Sequence, residues 1–166
     1  DSTGLELSGE KFLTASILFK NLLKKELDTQ NVGLLLPSTA AGAFINYSIL
    51  LMGKTAVNLN YTSEMESIKQ SIYSAQIKSV ITSRKFVEKL ELKGINIKEF
   101  FDLVEIIYLE DLKEKIPKRK SLLTFLSVKF LPSFILKFIH LTKTNKNDTV
   151  LILFSSGSEG KPKGIE

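Results

Sequence analysis

Residues 149–164 read TVLILFSSGSEGKPKG, a six-residue apolar and β-branched run that passes directly into hydroxyls, glycines and lysines. The run predicts a buried strand. Three glycines within eight positions, Gly157, Gly160 and Gly164, let the loop backbone approach a ligand so that successive N–H groups converge on anionic oxygens. Ser155, Ser156 and Ser158 add hydroxyl donors, Lys161 and Lys163 add positive charge, and Pro162 limits collapse of the empty loop. This combination suits a polyphosphate. A flexible Gly/Ser linker is the plain alternative, but linkers rarely follow a buried strand or carry Pro-Lys-Gly.

Two well-known phosphate loops do not fit. The nucleotide-triphosphatase loop needs two glycines five apart and then Lys with a hydroxyl residue, whereas Gly157 and Gly160 are three apart and Lys161 precedes Pro162. The dinucleotide fingerprint fails because no glycine lies two residues from Gly157.

Outward from this stretch the chain alternates strands with helices. Short apolar runs at 32–36, 55–59, 78–82 and 104–108 join 149–154 as expected strands, with a small edge strand at 4–8. Ser8 precedes a helix whose Phe12, Ala15, Phe19, Leu22 and Leu23 share a face. A second helix carries Ala40, Phe44, Tyr47 and Leu51 and stops at Gly53. Ser63 and Glu66 have capping-box spacing for a third, with Met65, Ile68, Ile72 and Ala75, and Ser83 starts a fourth with Phe86, Val87 and Leu90. Continuously apolar strands separated by helices predict an α/β fold with a parallel sheet covered on both faces. The Gly/Ser loop then falls beyond a strand's carboxyl end, where open α/β sheets bind ligands.

The pattern of hydroxyl-rich start, Ser-Gly, hydroxyl, Gly and Pro-Lys-Gly resembles the phosphate loop of the acyl-adenylate-forming (AMP-binding) enzymes, which include acyl-CoA ligases, luciferases and peptide-synthetase adenylation domains. Glu159 stands where most of that superfamily has Thr or Ser, and an acid beside a polyphosphate is repulsive unless it turns outward or meets a base. With Ser-Gly-Ser-Glu-Gly, the stretches at 60–62, 77–86 and 104–113 resemble the branch of acyl-acyl-carrier-protein synthetases joined to 2-acylglycerophosphoethanolamine acyltransferases. The similarity runs from about Val32 to Glu166. It implies an N-terminal, parallel-sheet layered part of an adenylation domain spanning 1–166. Residues 50–60 resemble the family's structural motif, with Asn58 in place of a frequent Pro and an effect expected on a turn only.

The resemblance implies a reaction as well. A fatty-acid carboxylate attacks the α-phosphorus of ATP, carried with Mg2+, to give acyl-adenylate and pyrophosphate; the thiol of acyl carrier protein then takes the acyl group for lysophospholipid reacylation. Ser155, Ser156, Gly157, Ser158, Gly160, Lys163 and Gly164 are expected to cradle the β- and γ-phosphates, with Glu159 and Lys161 in the same loop. The family's catalytic and metal-binding residues are expected beyond Glu166, so no catalytic residue or metal ligand is assigned, and the 166 residues alone are expected not to catalyse adenylation. A fatty-acyl-CoA ligase and a noncatalytic phosphate- or membrane-binding module are the rival readings.

Composition narrows the field. With 166 residues and 43% apolar content, the chain can bury the core of one domain. Cysteine is absent, which excludes disulfides and thiolate metal sites and is compatible with a cytoplasmic setting. The single histidine, His140, is expected at a helix end or on the surface, and leaves no histidine cluster. Glu110 and Asp111 read as a solvated turn before a helix.

Charge is uneven. Residues 111–147 hold nine Lys/Arg and two acids, net +7, against +5 for the whole chain. Inside this stretch 121–141 is strongly apolar, yet Lys129, Pro132 and Lys137 divide it into pieces too short to span a bilayer, and Pro132 is expected to open a second helix. A basic amphipathic helical insertion is therefore expected at about 111–147. It can pack on its own domain or on the expected remainder of the adenylation domain with lysines at the edge, meet an anionic membrane surface at the inner face through 118–141, or dock acidic acyl carrier protein. Nucleic acid is not an expected partner, because the interleaved aromatics are phenylalanines on an apolar helical face.

Overall fold

In the computed structural model, which describes residues 6–145, 147–155 and 163–165, one mixed sheet organises the chain. Its strands are β1 (Asn31–Leu34), β2 (Thr55–Asn58), β3 (Ser79–Thr82), β4 (Glu105–Tyr108), β5 (Leu151–Ser155) and β6 (Lys163–Ile165), in spatial order β4-β3-β1-β2-β5-β6. All neighbours are parallel except β5 and β6. The helices are α1 (Gly9–Glu26), α2 (Ala40–Leu51), α3 (Met65–Ser74), α4 (Arg84–Glu91), α5 (Leu109–Glu114), α6 (Lys118–Phe130) and α7 (Ser133–His140), with a 3-10 helix at Ile97–Leu103.

Strand residues feed two cores alternately, because successive side chains leave opposite faces. Val57, Val80 and Ile152 join Ile68, Ile72, Phe86, Val87 and Leu90 of α3 and α4 on one face. Val32, Leu34, Ala56, Ile81 and Ile107 join Phe19 and Leu23 of α1 and Ile45 and Ile49 of α2 on the other. The predicted α/β class with helices on both faces is borne out. Helices α1 and α2 approach closely through the fully buried Ser16 and Ser48, and the Ser48 hydroxyl lies 2.9 Å from the Ser16 carbonyl oxygen.

Caps largely follow the sequence. Ser8 Oγ accepts from Lys11 N, Ser83 Oγ accepts from Phe86 N, and Gly53 takes φ +70° after α2. The expected edge strand at 4–8 does not form over Glu6–Ser8, where Ser8 caps α1 instead; Gly4 and Leu5 lie outside the described residues. The Ser63–Glu66 capping box is also absent, and α3 begins after Glu64 without a side-chain cap. Asn60 accounts for this: its Oδ1 accepts from Thr62 N and Thr62 Oγ1, and its carbonyl accepts from Ser63 N, which commits the segment to a turn. Glu110 and Asp111 are not a free turn but the first turn of α5, where both hold Arg84.

Residues 111–147 do contain two helices, and Pro132 is the N-cap of the second. Only Val128 of α6 is buried and no residue of α7 is, while Phe130, Phe134 and Phe138 are exposed.

Candidate functional site

Register fixes the ends of the Gly/Ser loop. Leu34, Asn58 and Leu153 lie in one row across β1, β2 and β5, so Ser155, two residues further, projects about 7 Å past the row at the carboxyl edge. Strand β6 then returns antiparallel, pairing Ser155 with Lys163, Phe154 with Gly164 and Leu153 with Ile165. Of the residues expected to bind phosphate, Ser155, Lys163 and Gly164 are thus brought together as backbone neighbours where β5 and β6 pair. Ser156, Gly157, Ser158, Glu159, Gly160 and Lys161 lie outside the described residues. Gly164 needs no special backbone conformation here: a Cβ built on it would stand 3.4 Å from Phe154 Cε1, an ordinary contact.

The same carboxyl edge carries an open pocket of about 460 Å³ between the β1–α2 turn and the end of β2. Ser38, Thr39, Asn46 and Asn58 supply its polar groups. Thr39 Oγ1 accepts from Gly42 N and caps α2. Gly42 sits so close to the turn that a Cβ would lie 2.7 Å from the Pro37 carbonyl oxygen. Asn46 and Asn58 exchange side-chain hydrogen bonds of 3.2 and 3.0 Å, tying α2 to the end of β2. Asn58 is therefore not at a turn, contrary to expectation; it closes one wall of the pocket. Sequence reading missed this pair, although Asn at the end of an apolar strand, 12 residues after another Asn in a helix, is the signal that could have found it.

Further along the edge, Arg84 holds β3–α4 to β4–α5. Its guanidinium makes two bonds to Asp111, at 2.6 and 2.7 Å, lies 4.3 Å from the Tyr108 ring centroid, and its backbone N–H donates to Glu110. The Asp111 hydrogen bonds raise the Arg84 pKa, and those same bonds hold the Asp111 carboxyl below its usual value. This is a positioning clamp with its carboxylates already engaged.

The described ends of the loop, Ser155 and Lys163, stand at the sheet's carboxyl edge, where open α/β sheets bind ligands. Among the described residues no three His, Cys, Asp or Glu side chains come together as a metal site, so no magnesium ligand is drawn from them.

Comparison with known proteins comes to the same fold. The family profile described as AMP-binding enzyme matches residues 15–166. Among solved structures, o-succinylbenzoate CoA synthetase of Bacillus subtilis, bound to a product analogue, superposes with TM-score 0.64 at 20% identity over 93% of this chain and 27% of that one. The same enzyme in complex with AMP gives TM-score 0.65, 17% identity, and 93% and 34% coverage. The N-terminal subdomain of Klebsiella oxytoca NpsA, with 3-hydroxyanthranilyl-AMSN, gives 0.61, 13%, 93% and 32%. At these identities the likeness is one of fold, and the chain spans about a third of the structures it matches.

Proposed function

The chain belongs to the AMP-binding enzyme family, and from that premise we propose that it supplies the triphosphate-gripping loop of an ATP-dependent acyl ligase acting on a fatty acid. The observation that carries this reading is the hairpin register placing Ser155 opposite Lys163 beyond the carboxyl ends of the parallel strands. Backbone N–H groups and hydroxyls from Ser155, Ser156, Gly157, Ser158 and Gly160, with Lys163 and Gly164 on the return strand, would bind the β- and γ-phosphates. Donors fixed at that point stabilise charge that grows on the departing pyrophosphate as a substrate carboxylate oxygen bonds to the α-phosphorus. Magnesium would travel with the nucleotide and shield its charge. Lys161 would add to the positive field.

Acyl carrier protein is the proposed thiol acceptor, with lysophospholipid as the final acyl acceptor. The support is the Ser-Gly-Ser-Glu-Gly form of the loop. Coenzyme A is the competing acceptor and is distinguished by the same assay. The test is ATP–pyrophosphate exchange by the full-length polypeptide with a fatty acid, followed by acyl transfer to holo-acyl carrier protein or to CoA. Fatty-acid-dependent exchange with transfer to the carrier protein is expected. Transfer to CoA alone moves the assignment to a CoA ligase, and no exchange with any carboxylic acid removes the ligase reading.

A further inference from the structure

Apolar surface and positive charge coincide on the outer side of α6 and α7. Leu123, Leu126 and Phe130 follow Arg119 at helical spacing, on the side of α6 opposite the half-buried Phe125 and the buried Val128. Phe130 is 71% exposed, and on α7 Phe134 and Phe138 are 69% and 90% exposed. A cluster of large side chains left in water marks an interaction surface.

Charge selects the partner. Lys118, Arg119 and Lys120 form the first turn of α6, where the unsatisfied N–H groups already place positive charge, and no acid and no side-chain cap offsets them. This arrangement works against the isolated helix. No acidic residue occurs between 118 and 141, and none of the ion pairs among the described residues involves Lys118, Arg119, Lys120 or Lys137. Lys129, by contrast, has the nearby Glu10 carboxylate as a partial counter-charge. Beneath α6 an open apolar groove of about 490 Å³ runs along α1, lined by Leu18, Leu122 and Phe125, with Lys11 and Lys118 also on its wall. No helix among the described residues is long and apolar enough to cross a bilayer.

We propose that the outer face of α6 and α7 docks on an anionic phospholipid bilayer. Leu123, Leu126, Phe130, Phe134 and Phe138 enter the headgroup–acyl boundary while Arg119 on the same face and Lys120 beside it meet lipid phosphates, with Lys118 adding to the positive field from the groove side. An apolar surface beside uncompensated cations is the pairing that interfacial lipid binding requires, since apolar burial and attraction to anionic headgroups add. None of these residues belongs to the Gly/Ser stretch, so docking needs no nucleotide.

The test is co-sedimentation of the full-length polypeptide, without ATP, with vesicles of mixed phosphatidylglycerol and phosphatidylcholine and with phosphatidylcholine alone, at low and high salt. Two triple variants, Phe130→Ser/Phe134→Ser/Phe138→Ser and Lys118→Glu/Arg119→Glu/Lys120→Glu, are compared after circular dichroism confirms that they fold. Binding to the anionic vesicles at low salt is expected, weakened by more than about tenfold on neutral lipid and in each variant. No sedimentation at low salt overturns the proposal, as does binding that both variants leave unchanged. If the phenylalanine variant instead lowers thermal stability without lipid and the wild type ignores vesicles, the face is an internal or protein interface and the proposal fails.

Discussion

A methyl group added at position 42 would collide with the carbonyl oxygen of Pro37, 2.7 Å away, and that oxygen belongs to the backbone and cannot swing aside as a side chain can. Gly42→Ala is therefore expected to lower unfolding free energy by about 1–3 kcal/mol in urea titrations. Gly164→Ala meets only ordinary contacts with Phe154 and Ile152 and is expected to stay within about 0.5 kcal/mol of the parent. The two glycines look alike in the sequence. Their difference depends on what lies across from each, which a linear pattern does not encode. Asn58 makes the same point, since its partner Asn46 becomes visible only once α2 lies along β2. Arg84, embedded in a stretch used to infer kinship, turns out to clamp Asp111. Because the folded Asp111 pKa is depressed, this clamp contributes stability above the carboxyl's ordinary value of 3.8 and loses it as pH falls through the lower folded value. Arg84→Met should accordingly narrow the gap in urea midpoint between pH about 5 and about 3.

At the scale of elements, α7 is held on α1 and the end of α2 by few groups. Leu136 and His140 face Leu13, Ile17 and Leu51 across an apolar hollow, and Lys20 Nζ donates to the His140 carbonyl at the end of α7. A cation at that position complements the helix C-terminus. Burial and the nearby Lys20 charge both depress the His140 pKa below 6.5. The unfolded chain then takes up the proton first, so stability should fall as pH drops from about 6.5 through the folded value. Thermal melts between pH about 7.5 and about 5.5 should show this loss in the parent and its absence in His140→Asn; identical slopes would contradict it. Strands β1 to β5 and helices α1 to α4 were legible because their apolar periods are local, and Ser8 and Ser83 were legible as caps for the same reason; α5 was read as a turn because its six residues carry no full apolar period. Strand β6, three residues after a glycine-rich loop, and the 3-10 helix at Ile97–Leu103 carry no period of their own and were missed. The capping box at Ser63 failed because Asn60 offered the backbone a competing turn.

For the whole molecule, topology gives the loop its meaning. The chain carries β1 outward to β2, returns across the sheet to β3 and β4, and comes back beside β2 with β5, so the hairpin lies at the carboxyl edge next to the Asn46–Asn58 pocket. The hydroxyl, glycine and lysine content of that hairpin was legible in sequence; the antiparallel return that sets Lys163 against Ser155 was not. Because the 166 residues cover about a third of the structures they match, the chain by itself is expected to give no fatty-acid-dependent ATP–pyrophosphate exchange, and robust exchange would refute that. The deciding measurement is ATP affinity of the full-length polypeptide, by isothermal calorimetry, for the parent and for Ser156→Ala/Lys163→Ala. A loop that grips the triphosphate predicts a loss of more than about tenfold from two charge-assisted or hydroxyl contacts. Undiminished binding by the double variant would contradict it.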